Sequence, residues 1–348
     1  MKAKASDYLK YDETTGIYTE DPEQAVRDDV EKHYWLNVLR AIVKDWRLYL
    51  MLVPMILVFL FWRYFPMYEL LGAFKFYDGE KTVAQQNFIG FSAFKVLIVG
   101  NEATRFWRAL RNTFLLSFYG LCFGFPVPII VALFFNEIRS NIARSIYQVL
   151  TYLPKFMSTV VMTTLVTMLV KQGSALGDMG IISQLLVKLK VVDQDTAWLG
   201  ILKAPQFFRS IYMISGIWEG AGYDSIVYFA AIIAISPTSY EAAQIDGAGK
   251  MAQMRYVVLP SILSTIVIML ITRIGHLLSV GYEKVLLLYT VDSYQTADVV
   301  STLAYRLGVE GGLKGVASAA EMMNNVVGMI LVIGANTIAK KASNVSLY

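Results

Sequence analysis

Four side chains could do chemistry in apolar surroundings: Glu219, Arg273, His276 and, nearer the end of its segment, Glu321. Ionisable groups inside a bilayer are costly and face a cavity or a partner. Arg273 and His276 are three residues apart and share one face of a helix. Two arrangements suit these residues. In one, Glu219, Arg273 and His276 line a cavity, and Trp218 or Tyr223 offers a ring for stacking. In the other, Glu219 and Arg273 form a structural ion pair between helices, and His276 is a satisfied core histidine. Both stay open at this point. Asn324 and Asn325 suit hydrogen-bonding glue between helices.

Other chemistries find no seat. Two histidines and one cysteine, far apart, cannot build a usual zinc site. Cys122 has no disulfide partner in the chain and is expected as a small buried hydrophobe. Asp246-Gly247-Ala248-Gly249-Lys250-Met251 looks like part of a phosphate loop. Such a loop needs Gly at 244 and Ser or Thr at 251, where Gln244 and Met251 stand. Any ATP must therefore be hydrolysed on another chain, and no cofactor or metal is expected on this one. No Ser/His/Asp, Cys/His or paired-carboxylate site can be placed, so an enzyme is not expected.

The elements that must position these groups are membrane helices. The 348 residues are 56% hydrophobic and only 17% charged, against roughly 25% charged in an average soluble domain. A net charge of +4 is ordinary for a membrane protein and gives no support for nucleic-acid binding. No apolar stretch near the N-terminus suggests a cleavable signal. Residues 1–47 are polar; the first half is expected to be disordered. From Asp29 to Arg47 the pattern suits a helix at the membrane surface or a short soluble helix.

A spanning helix needs about 20 mainly apolar residues. Six segments come close: Leu48–Tyr64, Leu110–Phe135, Gln148–Val170, Phe208–Ile235, Ile262–Val280 and Val316–Ile338. Glycines and prolines punctuate them, as at Gly120, Gly124, Pro126, Pro128, Gly216, Gly220 and Gly222. These imply bent helices around a pathway. Six spans place both termini on one face, with 66–108, 171–207 and 281–315 as segments on the other. Lys and Arg split fourteen to twelve between the faces and do not orient the chain. The cluster Arg40, Lys44, Arg47 beside the first span favours a cytoplasmic N-terminus.

One largely polar stretch lies between the fourth and fifth segments: Glu241 to Pro260, EAAQIDGAGKMAQMRYVVLP. Thr238 and Glu241 are spaced as a capping box. Pro237 stops the fourth span from running on. Gly247 suits the left-handed position that ends a helix. A second short helix is expected over Lys250–Val257, with Pro260 opening the fifth span. The product is a helix–turn–helix bracket.

Glu241-Ala242-Ala243, then Gly247, then Leu259-Pro260 resembles the EAA signature of binding-protein-dependent ABC importer permeases. Val257 replaces the usual Ile, and Asp246 and Ala248 resemble the form common in carbohydrate permeases. The resemblance covers about residues 48–348. Tyr64-Phe65-Pro66-Met67-Tyr68, Arg111-Asn112-Thr113, Ala132 to Ile138 and Tyr152-Leu153-Pro154-Lys155-Phe156 are similar to the branch that imports oligosaccharides from complex polysaccharides. Glu69, Leu70 and Glu219 depart from it.

The resemblance implies an all-α integral membrane fold: a cytoplasmic tail over 1–47, a first helix and external loop over 48–108, and a five-helix core over 109–348. The loop 237–260 would grip a cytoplasmic ATPase through Glu241, Ala242, Ala243, Asp246, Gly247, Leu259 and Pro260. It implies an inner-membrane protein with both termini cytoplasmic. It also implies a second permease, two ATPase subunits holding ATP and Mg, an external solute-binding protein, lipid around the helices and a carbohydrate cargo. Trp218, Glu219, Tyr223, Arg273 and His276 are then candidates for the cavity. A permease for another solute, a membrane-embedded glycan or lipid enzyme and a gated channel are the alternatives.

Overall fold

The computed structural model describes residues 9–12, 17–20, 38, 42–76, 83–173, 178–276, 278 and 280–343. It forms two compact units, 1–69 and 70–348.

The first unit contains an unexpected hairpin. Strands β1 (Leu9–Asp12) and β2 (Ile17–Glu20) pair antiparallel, Leu9 opposite Glu20 and Asp12 opposite Ile17. The expected disorder is thus wrong for these residues. Apolar and polar residues alternate in β1, Leu9-Lys10-Tyr11-Asp12, which suits a pleated ladder. Most of the expected surface helix 29–47 lies outside the described residues. Helix α1, Trp46–Phe74, begins in this unit and is longer than its apolar stretch suggested. Pro54 and Pro66 each remove a hydrogen-bond donor; a π turn at Leu60–Tyr64 loosens the helix before the second. No side chain of Trp46–Phe59 is buried, as suits a surface solvated by lipid tails.

The second unit is helical. After the short α2 (Ser92–Ile98), α3 runs for 35 residues, Ala103–Glu137. Its ladder widens into a π turn at Gly120–Gly124. Pro126 and Pro128 follow, and neither can donate to the carbonyl four residues back. Cys122, in this turn, is exposed and not buried as expected; a thiol is apolar enough to face lipid.

The expected single span Gln148–Val170 is two helices. α4 (Asn141–Phe156) and α5 (Thr159–Leu169) meet at 101°. Pro154 and extended backbone at Ser158 break the run, and the Ser158 hydroxyl accepts the Val161 N–H to cap α5. α4 is capped the same way by Ser140. Helices α6 (Ile181–Lys188) and α7 (Gln194–Leu199) lead to α8, Pro205–Ile233. Its 29 residues measure about 44 Å at 1.5 Å each, enough to cross a bilayer core of about 30 Å.

A 70° bend separates α8 from α9 (Pro237–Ile245), and a 61° bend separates α10 (Lys250–Ser261) from α11 (Leu263–Gly275). α12 (Tyr282–Leu288), α13 (Tyr294–Ala297) and α14 (Val300–Tyr305) precede α15, Lys314–Ser343. α1, α3 and α15 are each long and apolar enough to cross a membrane; the three bent pairs reach that standard together.

Residues 281–315, expected as a segment on the outer face, contribute to the core: Val285, Leu288, Val299, Val300 and Leu303 are all at most 2% exposed. Arg111-Asn112-Thr113 explains how this segment is held. Asn112 donates to the carbonyls of Gln295 and Asp298 and accepts from Arg209; the Thr113 hydroxyl accepts the Val300 N–H. Asp298, fully buried, pairs with Arg306 at 2.6 Å and accepts the Thr302 hydroxyl. In lipid there is no hydrophobic drive between helices, so such polar links and close approaches hold the bundle. The closest approach is at Gly222: a Cβ there would stand 2.2 Å from the Thr151 carbonyl oxygen. Asn324 meets its expectation as glue by donating to the Leu278 carbonyl.

Candidate functional site: a charged cavity and a helical bracket

Between α3, α8 and α11 lies a cavity of about 350 Å³. On α3 its wall is Leu116, Gly120, Gly124 and Pro128, four residues apart along one helical face. Small residues there leave room, and Gly216, Gly220 and Gly281 do the same opposite. Five charged side chains line it: Lys155, Glu219, Asp224, Arg273 and Lys284. A contiguous space of about 180 Å³ shares Leu116, Gly120, Tyr212, Gly281 and Arg273 and adds His276 and Ser117.

Of the expected cavity residues, Glu219, Arg273 and His276 come together. Trp218 does not: it lines a separate apolar hollow of about 460 Å³ with Val166, Ile182 and Leu186. One turn of helix separates residues three or four apart, and Trp218 is adjacent to Glu219, so it faces elsewhere. Tyr223 is outside both spaces and packs edge-on against Phe156 at 5.8 Å. The ring at the cavity is Tyr212, with the Lys284 ammonium 5.6 Å from its centre. The ion pair suggested for Glu219 and Arg273 is made by Glu219 and Lys284, at 2.8 Å. Glu321 lines neither space.

Lys155, Asp224, Lys284 and Tyr212 were not singled out from sequence. Lys284 and Lys155 sat in stretches read as a loop and a family motif. Asp224 carried a usable signal, standing four residues after Gly220 on the face of a glycine-rich helix.

The bracket is formed by α9 and α10. Gly247 has φ +78°, the left-handed geometry expected of it. The Ala248 N–H reaches the Ala243 carbonyl and the Gly247 N–H reaches that of Gln244, the crossed pair of bonds that closes a helix C-terminus. The glycine at 247 is thereby explained. The capping box is not formed. The helix starts earlier, with Ser236 at the cap and Pro237 as its first residue; Thr238 instead shares a hydrogen bond with the Ser236 hydroxyl. Proline favours the first helical position because its missing N–H is not needed there. Pro260 lies near the end of α10 and not at the start of α11, after a π turn at Met254–Val258. Glu241 and Asp246 are exposed on the bracket, with Leu259 half-buried.

Two residues at the end of α3 hold the bracket. Glu137 pairs with Lys250 at 3.2 Å, and Asn136 hydrogen-bonds Tyr240. Burial pushes the Tyr240 phenol upward, and the bond to Asn136 partly offsets it. Tyr240 also packs beside the cluster of Ala132, Tyr228, Ile232, Val258 and Ile262. The bracket is thus fixed to the same helix that walls the cavity.

Among the described residues no group of three His, Cys, Asp or Glu could hold a metal.

Residues 124–290 match the family described as "binding-protein-dependent transport system inner membrane component". Protein LplB of Bacillus subtilis (strain 168) is 34% identical over 313 residues, 90% of this chain and 94% of that one. The polygalacturonan/rhamnogalacturonan transport system permease protein YteP of the same organism is 35% identical over 312 residues, 90% of this chain and 93% of its own. The crystal structure of a bacterial alginate ABC transporter in complex with alginate pentasaccharide-bound periplasmic protein contains a chain 39% identical, with a TM-score of 0.76. The match covers 88% of this chain and 99% of that one. With the bracket, the cavity and these likenesses together, the chain belongs to the binding-protein-dependent transport system inner membrane components, the permeases of ABC importers.

Proposed function

We propose that this chain is one of two permease subunits of an ATP-driven importer for oligosaccharides released from complex polysaccharides. Counting each bent pair as one span gives six spans, with both termini and the α9–α10 bracket in the cytoplasm. The bracket docks on a separate ATPase subunit, and a solute-binding protein delivers cargo from outside. ATP and Mg belong to that ATPase.

The mechanism is alternating access. Closure of the ATPase dimer displaces the bracket. Glu137, Asn136 and the packing around Tyr240 pass the displacement to the end of α3. Because α3, α8 and α11 wall the cavity, their movement exchanges its inward and outward openings. The observation that carries this reading is the attachment of the Gly247-closed bracket to the cavity helix α3. Carbohydrate as cargo is supported by the likeness to YteP and to the alginate transporter over nearly the whole chain.

The experiment is a pull-down of the tagged chain from detergent-solubilised native membranes, wild type against Gly247→Pro. An ATPase and a second permease accompany the wild type, and the mutant loses the ATPase alone. Recovery of no ATPase with the wild type, while other membrane complexes survive, overturns the importer reading.

A further inference from the structure

The five charges of the cavity do not cancel. Glu219 and Lys284 neutralise each other at 2.8 Å, their side chains only 21% and 11% exposed. That leaves Lys155 and Arg273 against Asp224. Both cations act on Asp224 through the field, yet neither forms an ion pair or hydrogen bond among the described residues. They arrive from different elements, Lys155 from the break after α4 and Arg273 from the last turn of α11. Arg273 also lines both the larger and the smaller space.

The Lys155 and Arg273 side chains are both exposed on the single chain, and the unpaired Arg273 guanidinium is open to a partner. Its planar fork of donors matches a carboxylate. We propose that Arg273, with Lys155 beside it, is a carboxylate seat, so that the cargo is an anionic oligosaccharide read by its uronate-type groups. This rests on the oligosaccharide-importer reading above. Asp224 lines the same cavity and feels both cations, offsets their charge while the seat is empty, and accepts a cargo hydroxyl when it is filled. Glu219 and Lys284 are spent on each other and contribute shape. The same fork could instead meet a carboxylate of the second permease, and the test separates the two.

The full complex, with its ATPase, second permease and binding protein, is reconstituted in proteoliposomes. The probes are trigalacturonate and its methyl ester, equal in chain length, the ester without the charges. Uptake of each is compared for wild type, R273K, R273Q and K155Q. The wild type prefers the acid. R273Q lowers the acid-to-ester ratio by about tenfold or more, the worth of one charge-assisted contact; K155Q lowers it less, and R273K keeps part of it. Because the binding protein is common to all variants, its own preference cancels from that comparison. An unchanged ratio in R273Q, with the wild type importing either sugar, overturns the seat and leaves the importer reading intact. Loss of the second permease from purified R273Q overturns it too, by assigning Arg273 to the subunit contact. A wild-type complex that imports no saccharide defeats the parent reading as well.

Discussion

Glu137 Oε2 lies 3.2 Å from Lys250 Nζ, joining the last turn of α3 to the first turn of α10. The two residues are 113 positions apart in the sequence (250 − 137), and they tie the bracket to the helix that walls the cavity. The Lys250 side chain is 69% exposed, so the pair adds little to stability.

Lys250→Glu sets two carboxylates against each other at this joint. Stability falls by less than about 1 kcal/mol, as for other exposed pairs, while transport-coupled ATPase activity falls further. Glu137→Lys combined with Lys250→Glu restores part of the coupling. Comparing ATPase stimulation by loaded binding protein across the three variants checks this; failure of the double swap to recover any coupling would count against a charge contact.

Gly247→Ala isolates backbone conformation from packing. No atom lies within 4 Å of the Cβ it would add, yet φ is +78°. The left-handed geometry costs a residue with a Cβ about 1 kcal/mol. The variant should assemble with the ATPase about fivefold more weakly, since 1.4 kcal/mol is tenfold. Gly247→Asn, which tolerates this conformation, should stay near the wild type in a quantitative pull-down.

Gly222→Ala tests the closest helix contact. Its Cβ would stand 2.2 Å from the Thr151 carbonyl oxygen, a backbone atom that cannot swing aside. Separation of α4 from α8 should cost at least about 1–3 kcal/mol. The expected result is a lower unfolding temperature in detergent. Gly216→Ala faces only the Lys284 ammonium at 3.7 Å and should leave that temperature nearly unchanged.

Glu219 and Lys284 should behave as a unit. Lys284→Met strands a carboxylate, and breaking a largely buried pair costs about 3–5 kcal/mol. Glu219→Gln with Lys284→Met removes both charges and should regain most of the stability. Thermal unfolding of the two variants in detergent decides it: equal losses in both would mean that the pair is not coupled.

Much of this was legible from residue types alone. Gly247 could be placed in a left-handed turn because few other residues adopt it, and the Glu-Ala-Ala to Leu-Pro spacing marked the bracket. The apolar runs gave the helices. Local signals also misled. Thr238 and Glu241 have capping-box spacing, but Pro237 is better suited to the first helical position, and the helix starts before them. A hydropathy window over Gln148–Val170 reads one span, because it does not register the 101° turn made at Pro154 and Ser158.

The sequence by itself determined the membrane class, the bracket and the absence of a phosphate loop at Lys250, because these follow from composition and short spacings. Tertiary structure alone decided which charges meet. Glu219 finds Lys284, 65 residues on, while Arg273 is left without an ion pair among the described residues, since pairing depends on where three separate helices cross. It also packed part of 281–315 into the core, where Asn112 and Thr113 hold Gln295, Asp298 and Val300. Nothing in the local pattern of Arg111-Asn112-Thr113 names those partners; only the fold brings the donors and carbonyls within hydrogen-bond reach.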